Sequence, residues 1–144
     1  MLMTITSENM MSKFFCYEIE GELCDLNTYI NKERMNKFAA ANIKKKLTEK
    51  CIKATKQIPY KYDKIYLTFT WVCKNKKKDP DNIAFAKKFI IDGLVRAGII
   101  PNDGWNNIAG FKDEFFCEPE ENARVIVTIE DINEPEQLDL CDIC

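Results

Sequence analysis

The chain has 144 residues, with 23 acidic and 21 basic side chains, no histidine and seven cysteines. That length fits one domain whose core needs no disulfide support, and an odd number of scattered cysteines does not read as a disulfide framework. Without histidine, serine and cysteine triads and the histidine-dependent hydrolases are excluded, so a hydrolase made of these residues must prepare its nucleophile with a carboxylate, a lysine or a metal ion.

No apolar run approaches the roughly 20 residues that span a bilayer. The N-terminal MLMTITSENMMSKFF lacks the basic start and long apolar centre of a secretory signal. A cytoplasmic protein with no membrane partner is expected. Cys141 and Cys144 have metal-pair spacing, but a structural zinc site needs four ligands and no second pair matches. The cysteines therefore read mostly as small buried hydrophobes in a reducing compartment. The net charge is −2, yet residues 130–144 carry six acidic groups and no base, which leaves residues 1–129 at +4. Lysines gather at 44–46, 76–78 and 87–88, and local patches of this kind set the attraction to phosphate.

In chain order, Phe14 to Glu20 alternates Phe15, Tyr17 and Ile19 against Cys16 and Glu18, a first strand. GELCDLNTYINKER is turn-rich and polar, and reads as a loop around Asn27 and Tyr29. From Lys32 to Lys56, Met35, Ala39, Ile43, Leu47, Cys51 and Ala54 mark one buried helix stripe. Lys64 to Cys73 is the clearest strand, with Ile65, Leu67, Phe69 and Trp71 on one face. It ends in a lysine run and Asp79-Pro80-Asp81-Asn82, with Asp81 placed to cap a helix from Asn82 to Ala97. The stripe of that helix is Ile83, Ala86, Ile90, Leu94 and Ala97, and Gly98 stops it. Phe111 to Glu118 and Arg124 to Ile129 then read as strands joined by a polar turn. The order predicts a small α+β domain over residues 1–130, one mixed β-sheet covered by two helices, with an acidic, mobile tail over residues 131–144.

Chemistry concentrates in residues 76–105. Asp79 and Asp81 read in the simplest way as a turn aspartate and a helix cap. Held a few ångströms apart, however, two carboxylates repel by roughly 1–4 kcal/mol, which a bound cation offsets. Mg²⁺ suits such oxygen ligands and completes its shell with water and substrate phosphate; Mn²⁺ is the alternative ion. Asp103 sits in Pro101-Asn102-Asp103-Gly104, by itself an ordinary turn. A sixteen-residue helix is about 24 Å long, and the six residues from Gly98 to Asp103 return at most about 20 Å. Asp103 reaches the first pair only if that pair lies along the helix flank, if the helix end frays, or if a second subunit completes the site. Lys88 and Asp92 are spaced as a surface ion pair, but uniform helical spacing also places both on the face of Asp81. There Lys88 has access to a phosphate.

The basic run, Asp79-x-Asp81-Asn82, the helix ending Ile91-Asp92-Gly93-Leu94 and the Asn102-Asp103 turn resemble the RusA family of Holliday-junction resolvases. The Leu26-Asn27-Thr28-Tyr29 loop and the order of elements agree. The resemblance covers about residues 14–130, with its specific part at 76–105. It implies a homodimeric, Mg²⁺-dependent endonuclease that cuts four-way DNA junctions by paired nicks. Asp79, Asp81 and Asp103 would bind the metal, and Lys88 would be the helix lysine. Lys76, Lys77, Lys78, Lys87 and Asn27 would contact DNA. Two features depart from the family pattern: the helix is three residues longer, which puts Phe85 at the lysine position if counted from Asp81, and the paired acidic turn keeps only its second carboxylate. The alternatives are a non-cleaving branched-DNA-binding protein and another metal-dependent phosphohydrolase, the latter disfavoured by the lack of a Gly-rich phosphate loop.

Overall fold

Period-two alternation makes Ile65, Leu67, Phe69 and Trp71 one apolar row, and that row is the floor of the core. In the computed structural model, which describes residues 13–132, these side chains are at most 4% exposed. They belong to β2 (Ile65–Cys73), an inner strand of a four-stranded mixed sheet. Its neighbours are β3 (Ile108–Cys117), parallel to it, and β4 (Arg124–Asp131), antiparallel, with β1 (Phe14–Glu20) beyond β4. The domain is α+β, as expected. Consecutive strands β3 and β4 are not partners. The chain crosses the end of β2 between them, where the Glu118 amide donates to the Cys73 carbonyl at 2.8 Å. Of the acidic tail expected from residue 131, Asp131 belongs to β4 and the Ile132 amide donates to the Lys64 carbonyl. The rest of that tail, with Cys141 and Cys144, lies outside the described residues.

The helices differ from the sequence reading in three places. Leu26–Met35, expected as a loop, is a helix, α1. Its N-cap is Asp25, whose carboxylate accepts from the Thr28 amide at 2.8 Å, a local closure that outweighs the polar composition. The long helix begins only at Lys37, as α2 (Lys37–Ala54), because Asn36 is extended and caps the Phe38 amide. Its stripe shifts accordingly: Ala40, Thr48 and Cys51 are buried, Ile43 and Leu47 are half-buried, and Met35 is exposed.

The helix expected over 82–97 is two pieces, α3 (Pro80–Ala84) and α4 (Lys87–Arg96). Between them the Ala86, Lys88 and Phe89 amides donate to carbonyls three residues back, a tighter winding that separates the two pieces. The uniform spacing assumed for Asp81, Lys88 and Asp92 is interrupted there. Pro80, rather than Asn82, opens the first piece, so Asp79 is the N-cap residue and Asp81 lies in the first turn. Phe89, Ile90 and Leu94 of α4 are sealed in the core with Val125, Val127 and Ile129 of β4. Each such side chain contributes about 1.5–3 kcal/mol by leaving water.

Helix α4 meets α2 at Gly93, where a Cβ would stand 2.9 Å from Cys51 Cβ and 3.0 Å from the Cys51 carbonyl carbon. Alanine would gain about 0.5–1 kcal/mol from helix propensity. Forcing two backbones apart costs about 1–3 kcal/mol, so the contact wins. Gly93→Ala should lower the urea midpoint with an unchanged m-value; a raised midpoint would disprove the close approach. Cys51 itself is packed as a hydrophobe, and burial pushes its thiol up to about 12. It is the only fully buried cysteine among the described residues. Cys24, Cys73 and Cys117 are half-buried and Cys16 is exposed, a correction to the expectation of mostly buried cysteines.

Candidate functional site

The segment after β2 is set by three local devices. Asn75 accepts from the Lys77 amide at 3.0 Å and turns the lysine run away from the strand. Pro80 holds Asp79 extended, at φ −72° and ψ 151°. An aspartate at an N-cap ordinarily accepts an amide of its own helix, yet the Asp79 side chain caps none. Asp79 and Asp81 are both exposed, and neither carboxylate enters a hydrogen bond or ion pair among the described residues.

The loop is clamped from the side by the start of α1. The Asn27 amide donates to Asn82 Oδ1 at 2.9 Å, and Lys78 Nζ stands 2.9 Å from Asp25 Oδ2 and 3.8 Å from Glu22 Oε2. Asp25 is 6% exposed and also takes the Thr28 hydroxyl at 3.0 Å. Burial alone would raise its carboxyl. The Thr28 amide, Lys78 and the Thr28 hydroxyl outweigh it and hold the group down at about 2. The hydrogen bond to Asp25 in turn raises the Lys78 ammonium. Sequence reasoning missed Asp25; the available signal was an aspartate three residues before a threonine, a helix-start pattern.

Because the folded pKa of Asp25 is depressed, its contribution is complete above the ordinary value of 3.8 and is lost as pH falls towards 2. Allowing for solvent at the partly exposed Lys78, that contribution is about 1–2 kcal/mol. Asp25→Asn should cost this much at pH 7 and flatten the acid limb of stability between pH 4 and 2. An acid limb identical to wild type in denaturation curves would remove the clamp.

Beside the clamp opens a cavity of about 270 Å³, lined by Cys73, Lys76, Lys78, Asp79, Ile83 and Phe116 among others. Cys73 and Cys117 are register partners at its floor. Burial raises the Cys73 thiol, and burial likewise raises Cys24 nearby, which makes both poor thiolates and poor soft-metal ligands.

Asp103 is elsewhere. The Tyr62 amide donates to the Ile99 carbonyl at 2.8 Å, and the Ile65 amide to the Asn107 carbonyl at 2.9 Å, with Asn107 Nδ2 on the Asp63 carbonyl at 2.7 Å. These bonds fix residues 99–107 against the start of β2, whereas Asp79 follows its end. Nine strand residues separate the two ends, about 26 Å at 3.3 Å per step. Within one chain the three aspartates are not brought together. Among the described residues, no three His, Cys, Asp or Glu side chains form a group that could hold a metal ion. Asp79 and Asp81 alone still fit the hard-oxygen pair from which Mg²⁺ is commonly bound with substrate phosphate.

The lysines divide. Lys76, Lys77 and Lys88 are exposed and unpaired among the described residues, and Lys88 makes no ion pair with Asp92. Lys78 is committed to Asp25. Lys87 is committed to Asp113 of β3, which also accepts from Trp71 Nε1 at 2.9 Å, and the Lys87 ammonium lies 4.4 Å from the Phe111 ring centre. Those two fasten the scaffold. Phe85 packs at 5.6 Å against both Tyr29 and Phe89, so of the two positions considered for the helix lysine, only Lys88 presents a cation. No protein-family model matches the chain, and no curated protein matches it either.

Proposed function

We propose that the chain is a Mg²⁺-dependent endonuclease of RusA type, cytoplasmic, that resolves four-way DNA junctions by paired nicks as a homodimer. The observation that carries this reading is the state of Asp79 and Asp81: two exposed carboxylates on a clamped loop that enter no hydrogen bond or ion pair among the described residues, directly after the exposed Lys76 and Lys77. Asp79 and Asp81 would hold the metal ion, which when bound supplies charge neutralisation at the scissile phosphate. Lys76 and Lys77 would draw the DNA backbone to the cavity mouth, and Lys88 would bind the phosphate. Shape and phosphate position, more than base identity, would select the junction.

Asp103 enters this scheme from a second copy. Among the described residues β3 is an edge strand whose Phe111, Phe115 and Phe116 are exposed, and an exposed apolar edge invites pairing. If two β3 edges paired antiparallel about a two-fold axis, the start of one β3 would lie beside the end of the other. Asp103 of one copy would then approach Asp79 and Asp81 of its partner. The separation of Asp103 within one chain favours a second reading, a branched-DNA binder that does not cut. A nicking assay decides between them, with a synthetic four-way junction and a linear duplex, in Mg²⁺ or EDTA. Paired cuts in the junction alone, dependent on Mg²⁺, are expected. Tight junction binding with no cutting would leave the binder.

A further inference from the structure

The two most exposed large apolar side chains of the helical layer, Phe38 at 85% and Met35 at 78%, stand at one corner, where α1 gives way to α2. Asn36 builds that corner from both sides. Its amide donates to the Lys32 carbonyl at 2.9 Å and closes α1, while its side chain accepts from the Phe38 amide at 2.8 Å and opens α2. The two apolar groups are thus presented by a backbone that is already ordered. Presenting them to water is unfavourable, and neither contributes to the core.

Their surroundings define the partner. Residues 30–56 carry nine cations against two carboxylates, Glu33 and Glu49, in a chain whose net charge is −2. Lys32, Arg34 and Lys37 are the nearest in sequence and all are exposed. Apolar wedges flanked by cations are how proteins enter DNA between base steps, with the charges on phosphates and the wedge against an unstacked base. The corner also lies at a useful distance from the candidate site. Helix α1 starts at the Asn27–Asn82 bond and has ten residues, about 15 Å, or roughly four nucleotide steps of 3.4 Å.

We infer that the α1–α2 corner is a second DNA-binding element, in which Phe38, supported by Met35, stacks on a base at the branch point while Lys32, Arg34 and Lys37 hold the flanking phosphates. It rests on the proposed function only in taking branched DNA as the ligand; no metal and no cleavage are required. A branch point is where the wedge costs least, because its bases are already partly unstacked.

The test is run on the full chain in EDTA, with fluorescein-labelled junction and duplex for affinity and 2-aminopurine at the branch point for unstacking. Phe38→Ala should lower junction affinity about tenfold, leave duplex affinity within twofold, and abolish the 2-aminopurine rise. Phe38→Trp should retain both signals. Replacing Lys32, Arg34 and Lys37 with glutamine should weaken both ligands and reduce the salt slope by about 2–3. Phe38 is exposed, so thermal melts of these variants should match wild type. Junction affinity and 2-aminopurine response unchanged in Phe38→Ala would overturn the inference. So would Phe38-dependent co-sedimentation with phosphatidylserine vesicles without any effect on DNA, which would make the corner a membrane contact. Cleavage in Mg²⁺ by Phe38→Ala, together with unchanged junction affinity in EDTA, would leave the nuclease and remove the wedge. Phe38-dependent junction binding with no cleavage would keep the wedge and remove the nuclease.

Discussion

Asp81→Asn should reduce junction cleavage by a factor on the order of 10³ while leaving junction affinity unchanged or slightly raised. Asparagine matches aspartate in size but lacks the charge that holds a cation. Asp81 is exposed in the first turn of α3 and bonds to nothing among the described residues, so the fold has no stake in the substitution. Removing one negative charge beside Lys76 and Lys77 should, if anything, favour DNA. Asp79→Asn should behave alike, since the Asp79 side chain is exposed and caps no amide of α3. The measurement is single-turnover cleavage in Mg²⁺ beside anisotropy binding in EDTA. Wild-type cleavage by Asp81→Asn would move the chemistry away from this loop altogether. Loss of binding and cleavage together would point to a damaged scaffold and would contradict the exposure of the side chain.

The contrast between Asp81 and Asp25 shows which parts of the site were legible in the sequence. Asp79, Pro80 and Asp81 advertise themselves because a proline between two carboxylates leaves little conformational choice. The β2 alternation was equally plain, since a two-residue period has one interpretation when both inner and outer rows are apolar or β-branched. Asp25 carried no such mark. Its importance comes from Lys78, 53 positions away, and from a helix start that polar composition disguised. Asp113 was hidden in the same way, as one polar residue of an edge strand that turns out to hold both Trp71 and Lys87. Lysines adjacent in sequence do opposite things. Among the described residues Lys77 is unpaired while Lys78, also exposed, is tied to Asp25, and Lys88 is unpaired while Lys87 is tied to the sheet. Sequence spacing cannot separate them, because the partner carboxylate comes from a distant element in each case.

The placement of Asp103 at the far end of β2 leads to the second large effect. Asp81→Asn and Asp103→Asn should each be inactive alone, and mixing the two proteins should restore nicking. In a site shared across a two-fold dimer, Asp79 and Asp81 come from one copy and Asp103 from its partner. A heterodimer of the two variants therefore has one site with both substitutions and one site with neither. Random exchange makes half of the dimers heterodimers, so about a quarter of the wild-type sites return. Each active dimer has a single working site, so the product should be nicked junctions, without the paired cuts of wild type. If each chain instead carried its own complete site, every site in the mixture would hold one substitution and no activity would return. Denaturing gels of a labelled junction, after co-refolding the variants at equal concentration, separate these outcomes. Silence in the mixture, with active wild type refolded in parallel, would place all three aspartates in one chain, against the hydrogen bonds that fasten residues 99–107 to the start of β2. Charged replacements at the β3 edge, such as Phe115→Glu, should prevent the rescue by keeping the copies apart. Recovered nicking would tie the uncovered edge, the divided aspartates and the two-fold substrate to one arrangement.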